Sequence, residues 1–423
     1  MIDSSMEMEE NEITYTTSYI MGVPRKQEDI VDVEKVIQRL QNTNHFEYAG
    51  YRMEENPIVT VKYLGETYEI ELIVEAVEIP ELFRVNHEFS EEDFTIMQQA
   101  SMAITTAMEF GSNAMTSFHL QLKVIATMIP DLVGIIDFSS ERINSGVWAT
   151  LAAISQVPPS PNYIYSVQAV SSEEGTVWLH THGLNRCNTV ELEILDSNVE
   201  HYKTHYNLLH SVANRAATEG ELPEEEEPYF VAYLNTGAPL IATWISWDRA
   251  IEFYDDDILG GRKDREDGHN VDTGVIYVYQ SKDDYERREF THVSAIEEYI
   301  EENMMMMIST PETNRMRALA KERFDFFVRN YGKEGNHGLI KFGLLVDEEH
   351  QNDTNDEKEH IWFEILDIKG EKATAKLTQE PYFMKELEVD QVMEIELSCM
   401  TDWILYTPEC SVNPDSVYLL EMR

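Results

Sequence analysis

The stretch GTVWLHTHGLNRCNTVELEIL, Gly175 to Leu195, gathers two histidines, a cysteine, an arginine and two glutamates within 21 residues. Imidazole titrates near neutral pH and is the commonest metal ligand. A carboxylate beside it can raise its pKa or share a metal with it. Side chains alternate along a strand. Val177, Leu179 and Thr181 then share one face, and Thr176, Trp178, His180 and His182 share the other. On a returning strand, Val190, Leu192 and Ile194 match the apolar face, and Thr189, Glu191 and Glu193 the polar one. Gly183 to Asn188 would form the turn.

Three readings of this hairpin stay open. His–Glu pairs across the strands beside Trp178 would contribute up to about 1 kcal/mol each. His180, His182 and Glu191 could hold a divalent transition metal, since imidazole and carboxylate suit zinc or iron. A histidine raised by a neighbouring glutamate could do acid–base work. The candidate binding residues are Trp178, His180, His182, Arg186, Glu191 and Glu193. Cys187 beside Arg186 is a possible thiolate, but no base is identified for it. No other cofactor is expected.

The elements that must position these groups follow from periodicity. Ile30, Val33, Val36, Ile37 and Leu40 form a helical stripe. Strands are expected over 46–51, 58–63 and 68–74, rich in β-branched and aromatic residues. Ser90 with Asp93 opens a helix expected to reach Gly111. A second helix runs from Asn113 to Met128, and 132–138 is a buried strand. Pro158, Pro159 and Pro161 break the chain. Strands over 163–170, 177–182 and 189–195 precede a helix over 199–218, then strands over 229–234, 240–247 and 274–280. Ser309-Thr-Pro-Glu312 starts a helix that runs to Tyr331. Strands over 339–346, 360–368, 372–378 and 392–398 end the chain, with Asp367 to Glu371 as a tight turn. The run Met304 to Met307 reads as adaptable packing rather than a soft-metal site. The fold class is α+β: an acidic tail (1–12), two mixed sheet-and-helix units (13–157 and 162–308) and a small β-rich C-terminal unit (309–423).

Charge narrows the partners. Thirty-two basic against 79 acidic side chains give a net charge of −47. Nucleic-acid binders neutralise phosphates with Lys and Arg, and anionic membranes repel an acidic surface, so neither partner is expected. The same charge keeps a soluble protein apart from its neighbours and would steer it to a basic protein. Three cysteines without a CxxC pair argue against a disulfide framework or a zinc ribbon. The N-terminal segment lacks the basic and apolar regions of a signal peptide, and no apolar run is long enough to span a bilayer. A cytoplasmic location is expected.

Other candidates are weaker. His205 and His210 are five apart on a helix and do not align. His350 and His360 flank an acidic loop. Asp255-Asp-Asp and 264–272 resemble a calcium loop in composition but not in ligand spacing. There is no Walker loop, GxGxxG, HExxH, GxSxG or kinase motif set.

The stretches EHIWFEILDIKGEKATAKLTQEPYF and VMEIELSCMTDWIL, with Trp362, Glu380-Pro381 and Asp402-Trp403, resemble the YegJ-type bacterial domain of unknown function. SFHLQLKVIATMIPDLVGIIDF and VWLHTHGLNRC resemble an uncharacterised bacterial module that precedes that domain. The resemblance implies a bacterial protein and an architecture, and no catalytic residues. Trp362 and Trp403 are expected as core anchors of a curved sheet. The leading expectation is a non-enzymatic acidic binding protein, immunity-like or regulatory, that masks a basic partner. The rival is a metal-binding or hydrolase-like protein centred on His180 and His182 with nearby carboxylates.

Overall fold

A computed structural model describes residues 16–422 apart from Leu82, 84–87, 234–237, 266–271, 300–304, 307–309 and 352–357. The acidic tail, Met304 and Met307 therefore lie outside the described residues, whereas Met305–Met306 forms a short strand.

Three sheets carry the chain. The first holds β1 (Ser18–Pro24), β2 (Glu47–Met53), β3 (Pro57–Tyr63), β4 (Glu66–Ala76), β5 (Met102–Met108), β6 (Leu132–Asp137) and β7 (Arg142–Ser145), in the order β2-β3-β4-β5-β1-β6-β7. The second holds β8 (Ser166–Ser171), β9 (Thr176–His182), β10 (Glu191–Asn198), β11 (Tyr229–Tyr233), β12 (Pro239–Ser246), β13 (Thr273–Tyr279) and β14 (Met305–Met306), in the order β14-β11-β12-β13-β10-β9-β8. The third holds β15 (His337–Leu345), β16 (Lys358–Lys369), β17 (Lys372–Leu377), β18 (Val392–Glu396), β19 (Met400–Tyr406) and β20 (Ser411–Val412), in the order β18-β17-β16-β15-β19-β20. All pairs are antiparallel except β10 with β13. With the helices on their faces, this is an α+β fold with a β-rich C-terminal region.

The expected helix from Ser90 to Gly111 is corrected. Ser90 does cap it, accepting from the Asp93 amide, but the helix stops at Gln99 and 102–108 is strand β5. The sequence MAITTAM carries β-branched residues suited to a pleated surface, and β5 sits between β4 and β1, where its backbone groups find partners on both sides. The helix expected to run to Tyr331 is two pieces, Thr310–Glu322 and Phe324–Tyr331, broken at Arg323.

Helix Ala114–Met128 lies at the centre of the first two units, touching β1, helix Gly146–Ile154 and helix Tyr202–Glu219. Its buried polar residues, Ser117, His119, Gln121 and Lys123, each have partners. Gln121 holds the Ser18 and Thr106 backbone carbonyls and hydroxyls. Lys123 Nζ donates to the Ala153 and Ser155 carbonyls at 2.6 and 2.7 Å, closing the end of helix Gly146–Ile154. Burial pulls the Lys123 ammonium down to about 8. His119 Nε2 pairs with the Ala152 carbonyl at 3.0 Å, and burial holds it down near 3.

In the third sheet Trp403 is fully buried, donates from Nε1 to the Ala320 carbonyl at 2.9 Å and meets Phe327 edge-on. Trp362 is not its equivalent. Ile361, Phe363 and Ile365 face the core, so Trp362 falls on the opposite face of β16, half-buried under Lys341.

Candidate functional site

The segment at Trp178 is the expected hairpin. Glu193 lies opposite His180 and Ile194 opposite Leu179, so the two faces sort as the alternation predicts. The expectation that one face is wet is corrected. Trp178, His180, Glu191 and Glu193 are each under 5% exposed. Over Trp178 and Glu193 the cover is a second layer, residues 247–265, whose Gly260 and Arg265 pack against them.

Trp178 and His180 stack with centroids 3.9 Å apart, and His182 meets His180 edge-on at 4.9 Å. The Glu193 carboxylate accepts from Trp178 Nε1 at 2.8 Å, Thr273 Oγ1 at 2.6 Å and Arg265 at 2.6 and 2.7 Å. Burial raises Glu193, against the pull of Arg265, Thr273 and Trp178. The Arg265 guanidinium lies 4.3 Å from the Trp247 ring and 5.5 Å from Trp178. Gly260 makes the approach possible: its φ is +81°, and a Cβ there would meet Trp178 at 2.7 Å.

The other candidates part company. The Glu191 carboxylate accepts from Thr181 Oγ1 at 2.6 Å and from the Gly183 and Asn185 amides at 2.7 and 3.1 Å, closing the turn. His182 Nδ1 turns to Glu141 at 3.5 Å. The structure thus brings His180 and His182 together but directs both Glu191 oxygens to the turn. Among the described residues no group of three or more His, Cys, Asp or Glu side chains is placed to hold a metal ion. Arg186 is 1% exposed and reaches into the first unit, where it grips Asp137 through two hydrogen bonds of 2.9 and 2.6 Å and donates to Ser18 and the Ile164 carbonyl. Its guanidinium lies over Phe110 and Phe118 at 5.5 and 5.2 Å. Cys187 is fully buried, and burial pushes its thiol up to about 12, far from a reactive thiolate. His205 and His210 diverge as their spacing predicts, one to Ser197 and the other to Tyr165.

The hairpin network is therefore packed shut. Where the β8–β9 turn and β10 meet residues 253–259 lies a groove of about 390 Å³ lined by Glu174, Asp196, Asp255 and Asp257 with Phe253 and Tyr254. All four carboxylates are exposed and none is within ion-pair distance of a cation among the described residues. Phe253 is 61% exposed at its rim. Sequence reading treated Asp255-Asp-Asp as a bare loop. The fold adds Glu174 from the β8–β9 turn and Asp196 from a bulge in β10, whose φ of +54° turns it outward from the ladder.

Residues 18–159 match a family model described as a protein of unknown function (DUF4026), N-terminal, and residues 164–277 match its C-terminal model. Residues 311–412, which include Trp362 and Asp402-Trp403, match an uncharacterised protein family conserved in bacteria (DUF2314). The chain carries the two DUF4026 domains in order, followed by a DUF2314 domain. No curated protein and no solved structure matches the chain. Among the described residues no helix is long and apolar enough to cross a membrane.

Proposed function

We propose that this protein is a non-enzymatic binding protein that engages a basic protein partner, with the Glu174–Asp196–Asp255–Asp257 groove as the point of contact. The observation that carries the reading is four carboxylates around one concavity beside an exposed aromatic ring, with no cation in ion-pair distance of them among the described residues. A lysine or arginine side chain entering it meets negative charge on several sides, and Phe253 adds a π face worth about 0.5–1 kcal/mol at an exposed site. The net charge of −47 extends the field beyond the groove and would speed encounter with a cation-rich surface.

The test is fluorescence anisotropy with a labelled arginine-rich peptide over a salt series. The variant Asp255→Lys/Asp257→Lys is compared with Glu386→Lys/Glu388→Lys, which makes the same change of charge at exposed residues in the third unit. Each reversed contact is worth about 1 kcal/mol at ~4 Å in water, so the groove variant should weaken binding about tenfold or more, and the control much less. Equal losses in the two variants would mean that only net charge matters, and the groove reading would fall.

A further inference from the structure

We propose that the large cleft where the three units meet binds a small acylated amino acid or acyl peptide, gripping its free carboxylate through Arg142 and its amide through Asn144. The cleft has a volume of about 970 Å³, the size of a site for a compact ligand. Strand β7, the 160–167 segment, helix Tyr202–Glu219, helix Thr310–Glu322 and the 413–416 turn all contribute to its walls.

Two neighbours on β7 make the case. Arg142 and Asn144 are two apart on one strand, so they share a face, and both line the cleft. Asn144 is 1% exposed, and neither its amide nitrogen nor its amide oxygen has a hydrogen-bond partner among the described residues. An unsatisfied buried amide costs stability and calls for an explanation. A ligand that offers one acceptor and one donor, as a secondary amide does, satisfies both atoms at once.

Arg142 is the matching charge. Its cross-strand neighbour is Asp137, but both Asp137 oxygens are taken by Arg186. Arg142 donates to the Asn162 carbonyl, its Nε has no partner, and no carboxylate lies within ion-pair distance of it among the described residues. In a chain with 79 acidic residues, an arginine without a carboxylate is conspicuous. The acids on the opposite wall do not fill the role, since Glu312 and Asp415 both hold Arg315. With Arg142 and Arg315 counted against Glu312 and Asp415, the local charges balance, which favours a monoanion over a phosphate dianion. The parallel rings of Tyr206 and His210, 5.9 Å apart, line the same cleft and offer an aromatic wall for the ligand's side chain.

The test is saturation-transfer NMR on the full chain with three probes: N-acetyl-L-phenylalanine, its neutral carboxamide, and phenylacetate, which lacks the amide. The expected result is strong transfer to N-acetyl-L-phenylalanine, weak transfer to the other two, and loss of the signal in Arg142→Gln and in Asn144→Leu. Asn144→Leu removes an unpartnered amide at similar volume, so it should fold with an unchanged or higher thermal midpoint. It decides the matter even if Arg142→Gln fails to fold. Equal transfer to the carboxamide, a signal retained in Asn144→Leu, no transfer to any probe, or displacement by equimolar inorganic phosphate would each overturn the proposal. The Asp255→Lys/Asp257→Lys variant should leave the signal unchanged, which separates this site from the acidic groove.

Discussion

Arg186→Met tests how the first two units are held together. The wild-type guanidinium makes two hydrogen bonds to Asp137, one to Ser18 and one to the Ile164 carbonyl, all buried. Asp137 is 0% exposed. Methionine fills most of the volume between Phe110 and Phe118 but leaves a buried carboxylate whose remaining donors among the described residues are the Ser139 and Ser140 amides. Breaking a buried pair by removing one partner costs about 3–5 kcal/mol. With a denaturant slope of about 2 kcal/mol/M for a unit of this size, the urea midpoint should fall by roughly 2 M. The assay is urea unfolding followed by tryptophan fluorescence for Arg186→Met, Asp137→Leu and the double variant. Because the double variant buries no orphaned charge, it should be more stable than the sum of the single losses implies, by about 2 kcal/mol or more. Strict additivity would refute the claim that these two side chains act as one buried unit.

Further outcomes are expected elsewhere. His119 is held neutral, near 3, by burial first and by Lys123 second. Its folded pKa lies below the unfolded value, so its contribution is intact above about pH 6.5 and is lost as the pH falls toward 3, amounting to about 2 kcal/mol at pH 5; His119→Gln should flatten the dependence of the urea midpoint between pH 7.5 and 5, and an unchanged slope would contradict the burial argument. Gly260→Ala forces a left-handed backbone and drives a methyl into Trp178 and Leu195, costing about 1–3 kcal/mol, and acrylamide should then quench tryptophan fluorescence more readily. Of the three cysteines, Cys399 and Cys410 are partly exposed and Cys187 is buried; a thiol reagent should label Cys187 only after unfolding, and fast labelling in the native protein would count against the packing described.

Much of the local structure was legible because it depends on near neighbours in the chain. The alternation over 176–194 gave the hairpin, its faces and its turn, and the stripe from Ile30 to Leu40 gave a helix, since each pattern records which side meets the core. Capping was readable too, as at Ser90. The end of the Ser90 helix was not: whether 102–108 coils or extends depends on β1 and β4, which are far away in sequence. The same limit applied to Trp362, whose position on the outer face follows from the register of β16 with β15 and β17.

The sequence alone determined an α+β chain of strong negative charge, its hairpin at Trp178 and the family resemblance of its C-terminal stretch. These are properties of composition and of residues within about a dozen positions of each other. Only the tertiary structure decided that the polar face of that hairpin is covered, that Glu191 serves the turn, that Arg186 crosses to Asp137, and that Arg142 and Asn144 face a cleft. Burial and pairing arise between segments brought together by packing. Asp137 and Arg186 are 49 residues apart, Glu193 and Arg265 are 72 apart, and no local pattern encodes which of them will meet.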